Sequence, residues 1–183
     1  MRVISGTAKG TKLNSIEDLS TRPTLDRVKE SLFNIIQPHI DESVVLDLFS
    51  GSGAIGIEFL SRGCKTAYLC DNSIKAINMI RQNLERTRLQ DNAVVINKDY
   101  KKCLQDCSNH NVSFDIIFID PPYKDDIAVD AVQMILSLKL LKKDGIIIIE
   151  TDEKDREIKN LEKLEIQIYD IRKYGRANLI FLN

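Results

Sequence analysis

The chain has 183 residues, 43% hydrophobic and 29% charged, enough to enclose one ordinary core and too few for two generous ones. A formal net charge of -1 excludes a globally basic polyanion binder, so a nucleic acid would have to be met by a local patch. Four cysteines without a Cys-x-x-Cys pair, and only two histidines, point to neither a metal site nor a disulfide framework; with no leader and no long apolar run, the expectation is a cytoplasmic protein.

In chain order, Arg2 to Ser5 and Thr11 to Leu13 flank a Gly6 to Gly10 turn and predict a small hairpin. Thr24 or Asp26 can cap a helix to about Ile36, whose Val28, Leu32, Phe33 and Ile36 form one apolar stripe. Strand-like runs then alternate with helical ones. The strands are Val44 to Phe49, Thr66 to Asp71, Ala93 to Asp99, Phe114 to Asp120 and Gly145 to Glu150. Between them lie helices at about Gly53 to Arg62, Ser73 to Arg88, Tyr100 to Cys107 and Asp126 to Leu141. A charged helix from Glu153 to Lys163 follows, then Leu164 to Tyr174 and Ala177 to Leu182, joined at Gly175 as an antiparallel pair. This alternation predicts an α/β fold of the Rossmann type: a seven-stranded, mostly parallel sheet with helices on both faces. The expected organisation is one domain over 1–183, with 1–40 as a hairpin-and-helix extension and 41–183 as the core.

Two motifs sit at the ends of predicted strands. Val44 to Gly56 is a strand entering a glycine-rich turn and then a helix, with Gly51, Gly53 and Gly56 in the G-x-G-x-x-G pattern and Asp71 twenty positions after Gly51. That pattern suits dinucleotides and other adenosyl cofactors alike. Asp47 separates them: a carboxylate facing the cleft would repel a pyrophosphate but can receive an α-ammonium, so the sequence leans toward S-adenosylmethionine. Asp71 is then the candidate for the ribose hydroxyls and Asp99 for the adenine amine; as helix caps, both would have a plain structural role instead. The second motif is Asp120-Pro121-Pro122-Tyr123, where two prolines stiffen the chain and leave carbonyls free to accept. A base bearing an exocyclic amine could stack on Tyr123 while its N–H groups meet the Asp120 carboxylate and the Pro121 carbonyl. His39 and His110 lie away from both motifs and are expected to be bystanders.

Over nearly its whole length the chain resembles the bacterial 16S ribosomal RNA guanine-N2 methyltransferases. The resemblance rests on Arg2-Val3-Ile4-Ser5-Gly6 with Lys9-Gly10, on Arg22-Pro23-Thr24-Leu25-Asp26-Arg27 through Asn34, on Leu46 to Gly53, on Glu58 with Ser61-Arg62-Gly63, and on Asp120 to Tyr123. It implies methyl transfer from S-adenosylmethionine to a guanine amine, with Asp120, Pro121 and Tyr123 at the amine and Asp47, Gly51, Gly53, Asp71 and Asp99 at the cofactor. The substrate would be 16S ribosomal RNA, in a small-subunit particle or assembly intermediate, acted on by a monomer. Arg2, Lys9, Lys12, Arg22 and Arg27 are the candidate RNA contacts. Two departures stand out. Asp71 occupies a position where the family more often has glutamate, and Tyr174-Gly175-Arg176-Ala177 lacks the Asp-Thr expected after the glycine. A nicotinamide dehydrogenase, an amine methyltransferase acting on DNA or protein glutamine, and a non-catalytic RNA-binding assembly factor remain open alternatives.

Overall fold

The computed structural model describes residues 1–15, 26–122 and 127–183. Helix α1 spans Asp26–Ile36, and its stripe of Val28, Leu32, Phe33 and Ile36 is fully buried, as the three-and-four spacing requires. Then come β1 (Val44–Asp47), α2 (Ala54–Ser61), β2 (Thr66–Asp71), α3 (Ile74–Thr87) and β3 (Ala93–Asn97). The second half comprises α4 (Tyr100–Asn109), β4 (Phe114–Ile119), α5 (Ile127–Ser137), β5 (Leu141–Thr151), α6 (Lys154–Lys163), β6 (Ile168–Tyr174) and β7 (Ala177–Leu182).

These strands form one seven-stranded sheet in the order β3-β2-β1-β4-β5-β7-β6. The pairings among β1 to β5 are parallel, while β7 runs antiparallel to both β5 and β6. The hairpin predicted at Gly175 is present, with Tyr174 opposite Ala177. Its placement was not foreseen, because β7 inserts between β5 and β6. The connections reverse direction between β1 and β4, so the crevice above those two strands is the switch point where doubly wound sheets bind ligands. Each sheet face has its own apolar layer. One is closed by Val3, Leu13 and the inner faces of α1, α2 and α3, the other by α4, α5 and α6.

Several boundaries differ from expectation. Helix α5 stops at Ser137, not Leu141, because Lys139 adopts φ +54° and Leu140 N donates to Ile135 O at 3.0 Å. Glu165 does the same for α6, with φ +56° and Ile166 N to Leu161 O at 3.1 Å, so β6 starts at Ile168 and not at Leu164. Strand β5 begins four residues earlier than Gly145, at Leu141, and passes a register shift opposite Phe114 and Ile116. Strand β1 ends at Asp47, itself a site residue, while β3 ends at Asn97 and β4 at Ile119, ahead of Asp99 and Asp120. The predicted N-terminal hairpin reduces to a single antiparallel bridge between Arg2 and Lys12, closed by turns at Gly6 and Gly10.

Candidate active site at the switch point

The site begins with a loop whose conformation favours glycine. Gly51 and Gly53 take φ +53° and +79°, the left-handed region, and Gly53 caps α2 without a side-chain bond. Ser50 ties the loop to its neighbours: its N–H donates to Cys70 O at 2.9 Å and its hydroxyl to Asp47 O at 2.7 Å. Gly56 is needed for a different reason. A Cβ there would lie 2.6 Å from Leu69 Cδ2, so α2 can approach β2 this closely only without one.

Asp71 closes the other side of the loop. Its Oδ2 accepts from Gly51 N at 2.9 Å and its Oδ1 from Ser73 N at 2.8 Å. The cap of α3 is therefore Ser73, whose hydroxyl accepts from Ala76 N, and not Asp71. Asp99 does serve as the cap of α4, accepting from Lys102 N at 3.1 Å with its second oxygen 3.5 Å from Lys102 Nζ. Those bonds hold its carboxyl below the usual carboxylate range, the Lys102 N–H contributing most.

The edge between β1 and β4 is dense in carboxylates. Asp47 is buried, and its Oδ2 accepts from Gly56 N at 3.0 Å. Burial pushes its carboxyl up to about 7, against the Gly56 N–H and the Ser50 hydroxyl that lower it, and the charge of Asp71 adds to the rise. Asp120 follows β4 directly. As a residue it keeps partial exposure, but its carboxyl is closely surrounded, and desolvation first, then the charges of Glu150, Asp47 and Asp152, raise it well above the ordinary carboxylate value. Pro121 and Pro122 continue toward solvent. Tyr123 and Arg22 lie outside the described residues.

The other candidate RNA contacts, Arg2, Lys9, Lys12 and Arg27, are exposed. The first three belong to a segment clamped onto α2 by Glu58. That carboxylate is fully buried and accepts from Ile4 N at 2.8 Å, Ser5 N at 2.9 Å and Arg62 Nε at 2.8 Å, with Lys29 Nζ at 3.1 Å. Lys29, equally buried, also donates to Arg2 O at 2.6 Å. Ser61 completes the clamp, its hydroxyl donating to Ser5 O and accepting from Ala8 N. A second tie is Asn83, on the inner side of α3. Its amide accepts from Asn14 N at 2.8 Å and donates to Asn14 O at 3.0 Å and to Ser52 O, inside the glycine loop, at 2.9 Å. Sequence reasoning gave neither residue a role. A lone carboxylate in the apolar helix Ala-Ile-Gly-Ile-Glu-Phe-Leu-Ser is a readable signal for Glu58, whereas an asparagine on an amphipathic helix gives none for Asn83.

The whole chain, residues 1–183, matches the family described as conserved hypothetical protein 95. A Bacillus subtilis protein provisionally named a ribosomal RNA methyltransferase is 42% identical over 152 residues, covering 83% of each chain. The ribosomal RNA small subunit methyltransferase D of Haemophilus influenzae is 36% identical over 157 residues, 85% of this chain and 80% of that one. The chain belongs to this methyltransferase D family. A solved family-like structure, a hypothetical protein of Thermus thermophilus, superposes with a TM-score of 0.83 at 25% identity, covering 100% of this chain and 99% of that one. The chain thus has the methyltransferase α/β fold expected from its alternation of elements. No helix of the described residues is long and apolar enough to cross a membrane.

Proposed function

We propose that the protein transfers a methyl group from S-adenosylmethionine to the exocyclic N2 amine of a guanine in 16S ribosomal RNA. Its relatives carry names of ribosomal RNA methyltransferases. The observation that carries the reading is Asp120 at the carboxy end of β4, followed by Pro121 and Pro122, beside the buried Asp47 at the end of β1.

The residues present suit S-adenosylmethionine and not a pyrophosphate. The Gly51 N–H, which a dinucleotide would need for a phosphate, already donates to Asp71, and the charged groups acting on the cleft are carboxylates. Such a lining attracts a cation. When bound, the cofactor supplies an electrophilic methyl group on a sulfonium centre. Asp47 faces the ammonium end and Asp71 the ribose hydroxyls, Asp99 being taken up as the cap of α4, while Gly51 and Gly53 let the backbone approach. At the other substrate, Asp120 Oδ and the Pro121 carbonyl accept the N–H hydrogens of the target amine, turning its lone pair toward the methyl group. Tyr123 stacks the base, and Arg2, Lys9, Lys12, Arg22 and Arg27 meet phosphates.

The test is methyl transfer from labelled cofactor to RNA of a strain lacking the modification, with the modified nucleotide identified after digestion. Asp120→Ala should lose turnover by orders of magnitude and keep cofactor affinity. A fully active Asp120→Ala enzyme, or label on a group other than a guanine amine, overturns the proposal. Small-subunit particles should outpace protein-free RNA, because few phosphate contacts leave selection to the shape of a preorganised site.

A further inference from the structure

The cations beside α4 and those beside α3 differ in their pairing, while the exposed Lys159 and Lys163 of α6 make no ion pair with a described carboxylate. Around α4, Lys98, Lys101 and Lys102 are each paired with a carboxylate, on Asp106, Asp130 and Asp99. On the opposite layer, Lys9, Lys12, Lys75 and Arg86 are exposed, and none makes an ion pair with a described carboxylate. A solvated ordinary surface usually intersperses the two signs.

The backbone brings three of these charges, Lys12, Lys75 and Arg86, together along α3. Lys75, Gln82 and Arg86 succeed one another at seven and four residues along α3 and so share one flank of it. Residues 12–14 lie against that flank: Arg86 Nη1 donates to Lys12 O at 3.3 Å and Asn14 Nδ2 to Gln82 Oε1 at 3.2 Å. Lys75 stands in the first turn of α3, beside Ser73 and Asp71 at the cofactor edge. From there to Arg86 the helix rises about 16 Å, enough for about five phosphates of one stacked strand. Glu85 points about 100° away from Arg86 around the helix. The strip is also held in place, since Asn83 bonds residue 14 on one side and the glycine loop on the other.

We infer that residues 9–14 and this flank of α3 form one phosphate track, in which Lys9, Lys12, Lys75 and Arg86 hold the backbone of the substrate RNA and lead it to the carboxy edge of the sheet. The inference rests on the RNA substrate proposed above, and it adds to the candidate contacts a helix that the sequence motifs did not mark. Because the contacts are to phosphates, they contribute affinity and register but no base preference.

The experiment compares the full chain with Lys75→Gln/Arg86→Gln, using a protein-free 16S ribosomal RNA transcript, over salt from about 50 to about 200 mM. Lys159→Gln/Lys163→Gln on the exposed face of α6 removes the same formal charge from the other layer and serves as the control. With a slope of about 0.7 per single-strand contact, the α3 variant should flatten the dependence of log affinity on log salt by about 1.4 and bind about 25-fold more weakly at about 0.1 M salt. Its KM for RNA should rise while kcat and cofactor affinity stay near those of the parent. Arg86→Lys keeps the charge and should keep the slope. Equal effects of the two double variants, no effect of either, or an Arg86→Lys protein as weak as Arg86→Gln would overturn the track. A parent that binds RNA with the expected slope but transfers no methyl group would refute the proposed reaction and leave the track standing.

Discussion

Glu58→Ala should be among the most damaging single changes outside the catalytic edge. The carboxylate is wholly buried and is shared by two backbone N–H groups, Ile4 and Ser5, and two cations, Arg62 and Lys29. Removing it takes the Glu58 charge away from the Lys29 ammonium, which has no solvent exposure and keeps a bond to Arg2 O. Breaking a buried pair from one side costs about 3–5 kcal/mol, most of it the penalty on the charge left behind. The two orphaned amides belong to the N-terminal segment, which can swing outward to find water, so the loss stays near that range and is not the sum of all four contacts. At roughly 2–4 °C per kcal/mol for a protein of this size, the melting temperature should fall by about 10 °C. Urea unfolding followed by far-ultraviolet circular dichroism gives the free energy directly. Lys29→Met/Glu58→Leu, which removes both charges at similar volume, should recover part of it. A Glu58→Ala protein within about 1 kcal/mol of the parent, or a double variant less stable than the single one, would refute the assignment of the cost to the broken Lys29–Glu58 pair.

Asp71→Ala should weaken S-adenosylmethionine binding by about 1.5–3 kcal/mol in titration calorimetry, the worth of bonds to a charged group; parental affinity would leave Asp71 only its brace on Gly51. Asp47 gives a pH signature. Its carboxyl rises from 3.8 to about 7 on folding, so the folded chain holds a proton that the unfolded chain has lost, and stability falls as pH climbs through that window and stays low above it. At about 1.36 kcal/mol per pH unit the span amounts to roughly 4 kcal/mol, so the stability of the parent minus that of Asp47→Asn should decline by up to this much from pH 4 to pH 8; a flat difference would contradict it. Gly56→Ala should cost about 1–3 kcal/mol by driving its Cβ into Leu69, and Leu69→Ala in the same chain should relieve the overpacking component. If Leu69→Ala adds its full penalty instead, the contact is not the cause.

Much of this architecture was legible because its signals are local. The strand, glycine turn and helix at Val44 to Gly56 place Asp47 and Gly51 without reference to the rest of the chain, and the prolines after Asp120 mark the end of β4 to within one residue. The end of α5 and the start of β6 were misjudged for one cause: Lys139 and Glu165 enter the left-handed region without being glycine and so carry no stop signal, although α6 itself ends at Lys163 as expected. The position of β7 between β5 and β6 is a property of sheet assembly, which period and composition do not encode. Glu58 and Asn83 were missed as working residues because the backbone groups they bond in the N-terminal segment lie 53 to 69 positions away.

The carboxylates around Asp47 and Asp120 also bear on how the enzyme lets go of what it has made. Giving up its methyl group converts a sulfonium into a neutral thioether, so the spent cofactor leaves with one positive charge fewer than it brought. Losing that charge removes its attraction to each ionised carboxylate of the edge. The same edge that gathers the reactant thereby loosens its hold on the by-product as soon as the transfer is done. Neutralising Asp47 should accordingly narrow the gap between the two affinities and make the reaction more prone to stalling on its own product.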